Sequence, residues 1–149
     1  MAKILGLDVG DATIGVAVSD SFGWTAQGIM TIRRQNVNSD LLVLRKLMQR
    51  HEIIEVVVGM PLKMNGQADQ QTQKTLRFTQ LLRNTFDIPI TLWDERFSTI
   101  AASKALASGH VKKRQKTALI DKVAAVIILQ GYLDRRNTAR TAELCGQPL

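Results

Sequence analysis

The chain has 149 residues and a mass of 16.5 kDa, a length that suits one domain and leaves no room for a second independent core. Hydrophobic residues make up 45% and charged residues 22%, which is a globular composition and excludes global disorder. The single cysteine excludes an internal disulfide and suits a reducing cytosol. No apolar run approaches the roughly 18 to 20 residues of a membrane span, and the N-terminus lacks the apolar region of a signal peptide, so we expect neither a membrane protein nor a secreted one.

The positive charge is unevenly distributed along the chain. Twenty basic and thirteen acidic side chains give a net charge of +7. Residues 1–95 hold ten of each sign, whereas residues 96–149 hold ten basic side chains and three acidic ones. A one-sided basic surplus favours a polyanion partner such as nucleic acid, although a solvated surface is the simpler alternative.

Three short apolar segments open the chain. Residues 3–10 and 13–20 are rich in aliphatic and β-branched side chains, and Gly10-Asp11 between them is a turn signal, so they predict a tight hairpin. Residues 24–32 alternate roughly and predict a third strand. We therefore expect three antiparallel strands at the start of the fold.

Helical and strand patterns then alternate. The predicted elements are a helix with Asn38 or Ser39 as its N-cap, a strand over 53–58, a helix over 68–86, a strand over 89–93, a helix from Ser98 or Thr99 to Gly109, a basic connector over 110–116 and a helix over 118–135. This order predicts an α/β domain over 1–136 with one mixed sheet covered by helices, and a polar, frayed tail over 137–149.

Two acidic residues lie where charge is costly. Asp8 interrupts an apolar strand, although it could instead be a turn residue that bonds the backbone near Gly10. Asp121 begins an apolar helix, and its neighbours at three and four positions are small, which leaves space for an ion or a phosphate. The alternative for Asp121 is a first-turn charge that serves the helix dipole.

A third acidic position follows the last predicted strand. Asp94 and Glu95 alternate in direction, so only one of them can point toward a given site, and the local sequence does not say which. A polar loop paired with Arg96 is equally compatible. Carboxylates without a His/Cys cluster at zinc spacing suggest an oxygen-only site for Mg²⁺ or Mn²⁺.

Two segments resemble phosphate contacts. The loop that contains Gly59 and Pro61 is bounded by glycines and follows a strand, so its backbone N–H groups could approach a phosphate, although an ordinary strand-to-helix loop reads the same way. Positive charge is concentrated just before Asp121, where it is either a nucleic-acid contact or a solvated connector. These basic residues are Lys112, Lys113, Arg114 and Lys116.

Four segments together resemble one known family. They are residues 7–20 with Leu-Asp-Val-Gly, residues 58–66 with Gly-Met-Pro, residues 94–99 with Asp-Glu-Arg-Phe-Ser-Thr, and residues 112–129 with Lys-Lys-Arg and Asp121. In this order they resemble the YqgF/RuvX family of pre-16S rRNA nucleases, which are also described as Holliday-junction-resolvase-like. The pieces run from about residue 4 to about residue 133. Ala12 departs from the pattern, because many relatives carry a basic residue there.

The resemblance implies an RNase H-like fold with a five-stranded mixed sheet, three antiparallel strands first and then parallel ones, flanked by helices. It implies a metal-dependent phosphodiesterase site at Asp8, Glu95 and Asp121, and thereby favours Glu95 over Asp94. It further implies a bacterial cytoplasmic protein that acts on precursor rRNA, with Arg96 and the basic segment as substrate contacts. A monomer suffices for that reaction.

Other functions stay open at this point. A Holliday-junction resolvase acting on branched DNA would need two active sites and thus a homodimer. A non-catalytic nucleic-acid-binding module would carry the same acidic residues without turnover. A sugar kinase or an actin-type ATPase also opens with Asp-x-Gly, but it needs a second lobe that this length does not supply.

Overall fold

The computed structural model describes residues 2–62, 65–95 and 113–144, with the backbone alone described for 113–121 and 142–144. The elements in chain order are β1 (Lys3–Val9), β2 (Thr13–Ser19), β3 (Ala26–Arg33), α1 (Val37–Arg50), β4 (Ile53–Met60), α2 (Gln70–Thr85), β5 (Ile90–Asp94) and α3 (Lys113–Leu144). The predicted helix from Ser98 or Thr99 to Gly109 lies outside the described residues, as do Arg96 and Lys112.

The strands form one five-stranded mixed sheet in the order β3-β2-β1-β4-β5. β1 pairs antiparallel with β2, and β2 pairs antiparallel with β3, which confirms the predicted opening hairpins. β4 then pairs parallel with β1, and β5 pairs parallel with β4. The carboxyl ends of β1, β4 and β5 therefore meet at the same edge of the sheet.

The two faces of the sheet carry separate cores. Leu5, Leu7 and Val9 of β1 belong to a cluster with side chains of α1 and α2. Ile4 belongs to a second cluster that includes Ile128 and Leu129 of α3. Because successive strand residues point to opposite faces, Asp8 lies on the α3 face.

The first two helices begin at capping residues. Asn36 is the N-cap of α1 and its side chain accepts a hydrogen bond from the Ser39 backbone N–H, so the predicted caps Asn38 and Ser39 are wrong and lie within the first turn. Asp69 and Thr72 form a capping box at the start of α2. These side chains satisfy backbone N–H groups that have no partner within the helix.

The last helix is much longer than predicted. α3 begins at Lys113, so a connector over 113–116 is wrong; lysine, arginine and glutamine are good helix formers, and nothing there breaks the helix. The helix also continues through Arg136 to Leu144, so the expected frayed tail is wrong for 137–144. Asn137 is buried and donates from Nδ2 to the Gly23 carbonyl at 2.8 Å, which ties this part of the helix to the β2–β3 turn. In the portion of the chain that the structure describes, none of the helices is both long and apolar enough to cross a bilayer.

Candidate active site at the carboxyl end of the sheet

The Asp8 carboxylate lies on the face of the sheet that α3 covers. It lies near the end of β1 and is 7% exposed. Its partner across the antiparallel pair is Gly15. On the parallel side Leu7 pairs with Val58, so the next residue of β4, Gly59, lies in register with Asp8. Both of these strand positions are glycines, so neither β2 nor β4 places a side chain directly beside Asp8.

Glu95 follows β5 directly, and its carboxylate lies beside Gly59 of β4. Its Oε1 atom lies 2.7 Å from the position that a Cβ atom on Gly59 would occupy. Gly59 pairs with Trp93, which packs against α3, whereas Asp94 pairs with Met60. Of the two acidic residues that the sequence left open, Glu95 is therefore the one whose carboxylate adjoins Gly59.

Asp121 lies on α3, within the part whose backbone alone is described. A Cβ atom on Gly6 would meet Leu129 Cβ at 2.7 Å and the Ala125 carbonyl oxygen at 3.2 Å, which places the middle of α3 over the middle of β1. Farther along the helix, Arg136 lines a cavity together with Ile4 at the other end of β1. α3 thus runs antiparallel to β1, and its N-terminal part points toward the Asp8 end. The role of the Asp121 side chain stays a prediction.

Some of the remaining predicted site residues lie in the described part of the chain, and others do not. Gly59 is the second-last residue of β4 and lies on the α3 face. The Pro61 carbonyl accepts a hydrogen bond from the Thr72 hydroxyl, so the loop after β4 is anchored to the start of α2. Three predicted basic contacts lie in the first turns of α3, where side chains are not described; they are Lys113, Arg114 and Lys116. Arg96 and Lys112 lie outside the described residues.

Several side chains hold the turn that follows Asp8, and the sequence pattern did not single them out. Arg34 donates from Nη1 to the Gly10 carbonyl at 2.9 Å and from Nε to Asp40 at 3.0 Å. The Gln71 amide donates to the Val9 carbonyl at 3.1 Å, and the Lys74 ammonium pairs with Asp11 at 3.1 Å. These partners are up to 63 residues apart, so no local signal could have identified them. Gly15 could have been found, since the predicted hairpin already sets it opposite Asp8.

The donor set suits a hard divalent cation. Carboxylate oxygens are the ligands that Mg²⁺ and Mn²⁺ prefer, and the lack of a side chain at Gly59 lets the Glu95 carboxylate lie against the β4 backbone. Among the residues whose side chains the structure describes, no group of three His, Cys, Asp or Glu residues is arranged to hold a metal ion. Two carboxylates alone do not complete such a site, and the side chain of the third predicted ligand, Asp121, lies outside the described part of the structure.

Comparison with known proteins identifies the family. The model of the family described as "RuvX: Holliday junction resolvase" matches residues 2–135. A protein of Desulforamulus reducens named "Putative pre-16S rRNA nuclease" is 47% identical over 132 residues, which cover 89% of this chain and 96% of that protein. A protein of Heliobacterium modesticaldum with the same name is 46% identical over 134 residues, which cover 90% of each chain.

Solved structures show the same fold at low sequence identity. The chain matches RuvC of T. thermophilus in complex with a Holliday junction with a TM-score of 0.54 and 11% identity, covering 91% of this chain and 96% of that one. It matches the fowlpox virus resolvase with a TM-score of 0.54 and 12% identity, covering 89% and 97%. The expected mixed sheet and RNase H-like fold are confirmed. From the family match and the relatives together, the chain belongs to the RuvX family.

Proposed function

We propose that the protein is a metal-dependent nuclease that hydrolyses phosphodiester bonds during maturation of the 5′ end of pre-16S rRNA. The observation that supports the proposal is that the Glu95 carboxylate lies against Gly59, the β4 residue that follows the partner of Leu7, while Asp8 follows Leu7 on the neighbouring strand. The names of relatives that are 44–47% identical over about nine-tenths of the chain support the choice of substrate. The description of the family model, Holliday junction resolvase, also names an activity that cleaves phosphodiester bonds.

Asp8, Glu95 and Asp121 are the residues that would hold Mg²⁺ or Mn²⁺. When bound, such an ion activates water and neutralises charge on the leaving oxygen of a phosphodiester. Asp8 lies near the end of β1 and Glu95 follows β5, so both backbones are at the carboxyl edge of the sheet, and the buried position of Asp8 excludes most water from that carboxylate. The protein thereby prepares the ligands before substrate arrives.

The basic residues would supply the contacts to nucleic acid. The excess of ten basic over three acidic side chains after residue 95 favours a polyanionic substrate. We assign backbone contacts to Arg96, Lys112, Lys113, Arg114 and Lys116. Cleavage of one strand needs a single active site, so we propose a monomer that acts in the cytoplasm.

The test is cleavage by purified protein with and without Mg²⁺ or Mn²⁺, on a precursor 16S rRNA fragment and on a four-way DNA junction. We expect metal-dependent cleavage of the RNA, and its loss in Asp8→Asn and in Glu95→Gln. Each change removes one anionic ligand with little change in shape. Asp87→Asn is the matched control, because Asp87 is an exposed carboxylate at the other end of the sheet.

Three results would contradict the proposal. Full activity of Asp8→Asn would remove the carboxylate mechanism. Cleavage of the junction alone would transfer the activity to branched DNA. Salt-sensitive binding without a product on either substrate would make the protein a binding module.

A further inference from the structure

A cavity of about 510 Å³ opens at the outer edge of β5, next to the candidate active site. Its lining includes Met60 and Asp94, which pair with each other at the carboxyl ends of β4 and β5. Asp94 precedes Glu95 directly, so their Cα atoms are about 3.8 Å apart. Whatever occupies this cavity lies one residue away from a proposed metal ligand.

The cavity combines an apolar wall with a cationic rim. Met60, Leu92 and Trp93 supply apolar surface from the sheet, and α3 supplies Arg135 and Arg136. The lining therefore has two positive charges against one negative charge, that of Asp94. Its volume lies in the range of about 300–1,000 Å³ that is typical of small-ligand sites.

The wall toward α3 is held in place by aromatic and polar contacts. The rings of Trp93 and Tyr132 meet edge to face, with centroids 6.1 Å apart and an interplanar angle of 85°. The Tyr132 hydroxyl donates to Glu55, and Thr91 donates to the same carboxylate oxygen at 3.0 Å. Burial, together with the hydrogen bond to Glu55, raises the pKa of Tyr132, so the tyrosine keeps its proton as a donor. Rigid walls of this kind lower the entropic cost of binding.

Arg135 is positioned as an anion contact. Its guanidinium carbon lies 5.9 Å from the centroid of the Trp93 ring. A guanidinium stacked on an aromatic ring keeps its N–H groups in the plane, where they match two phosphate oxygens. Trp93 itself is only 9% exposed, so the indole serves as a wall and as a support for Arg135 and offers no open stacking face.

We propose that this cavity binds an unpaired nucleotide adjacent to the cleaved phosphodiester, with the base at the outer edge of β5 and the phosphate at Arg135 and Arg136. The proposal rests on the proposed nuclease function, whose substrate it specifies as single-stranded at this position. A base that is paired and stacked inside a duplex must first be extruded before it can enter such a cavity. Single-stranded segments, in contrast, present unstacked bases to side chains without that cost.

The experiment measures binding of a short fluorescein-labelled oligouridylate by anisotropy, in an Asp8→Asn background that prevents cleavage. Arg135→Gln/Arg136→Gln is expected to weaken binding about ten-fold at low salt. Each phosphate contact that is lost should make the slope of log K against log salt about 0.7 less steep. Arg140→Gln is the matched control, because it removes one arginine from the same helix outside the cavity lining, and we expect it to change affinity less than about two-fold.

A second variant tests the apolar part without a change in charge. Ala139→Leu adds bulk to the cavity wall at an exposed helical position and should also weaken binding of the oligouridylate. A double-stranded RNA probe should bind all of these variants equally. The proposal is overturned if Arg140→Gln weakens binding as much as the double variant, or if duplex and single-stranded probes lose affinity in parallel.

Cleavage by the arginine variants with Asp8 intact separates the two proposals. A higher KM for a single-stranded substrate supports the cavity assignment, and an unchanged KM refutes it while leaving the nuclease function in place. If the wild-type protein cleaves nothing, the nuclease proposal fails. In that case the loss of oligouridylate binding in the double variant still decides the cavity assignment.

Discussion

Gly59→Ala tests the geometry of the candidate active site with one methyl group. The added Cβ would overlap the Cδ1 atom of Ile128 and would lie 3.0 Å from its Cγ1 atom. It would also lie 2.7 Å from Glu95 Oε1. Both side chains must move, and their freedom to move differs, because Ile128 is fully buried whereas Glu95 is half-buried.

The two displacements have separate magnitudes. Overpacking of a buried side chain costs about 1–3 kcal/mol, so the free energy of unfolding should fall by that amount. The Glu95 carboxylate must retreat by several tenths of an ångström to restore van der Waals contact, and misplacement of a catalytic group by about 1 Å costs about 10²-fold in rate. We therefore expect a modest loss of stability and a loss of cleavage approaching two orders of magnitude.

A second substitution separates these effects. Ile128→Val removes the Cδ1 atom that the new methyl group overlaps, at a cost of about 0.5–1.5 kcal/mol when introduced alone. In Gly59→Ala/Ile128→Val the stability measured by urea unfolding should be largely restored, whereas cleavage of the rRNA fragment should stay low because the contact with Glu95 persists. Recovery of full activity in the double variant, or wild-type activity in Gly59→Ala, would refute the assignment of Glu95 to the site.

Two further predictions concern groups outside the carboxylate site. Arg34→Gln should lower the free energy of unfolding by about 2–3 kcal/mol, because it leaves Asp40, 2% exposed, without its ion-pair partner. Urea unfolding measures this loss of stability. A loss no larger than that caused by Arg50→Gln would contradict the prediction. Burial, with the charges of Lys3 and Arg50, holds the pKa of His51 below its ordinary value of 6.5, so the folded state binds this proton less readily than the unfolded state. The contribution of His51 to the free energy of unfolding is complete above pH 6.5 and falls as the pH drops through that value toward the pKa of the folded state. Unfolding curves recorded at several pH values should show this pH-dependent contribution in the wild type and not in His51→Gln.

The strands and the first two helices could be predicted because their signals are local. Gly10-Asp11 between two apolar runs predicts a hairpin, and the hairpin pairs residues that are close in the chain, from Val9 with Ile14 to Leu5 with Val18. The change from alternating to helical spacing after residue 36 marks α1 in the same way. Local backbone preference and the burial of one face agree in these segments, so the pattern is sufficient.

The extent of α3 could not be predicted from the same signals. Residues 137–144 lack an apolar stripe, so the pattern indicates a polar end. In the structure the helix continues to Leu144, and Asn137 at the start of this segment bonds to Gly23, a residue 114 positions earlier. Contacts of this kind depend on the packing of the whole domain and leave no periodic trace.

Composition and pattern by themselves determined the class of fold, the basic C-terminal third and the candidate acidic residues, because a carboxylate in an apolar run is conspicuous wherever it occurs. Only the tertiary structure decided that the Glu95 carboxylate lies against Gly59, and that a cavity with two arginines opens at the outer edge of β5. The physical reason is register: the parallel pairing of β4 with β5 sets which strand residues share a face, and that pairing joins segments more than thirty residues apart.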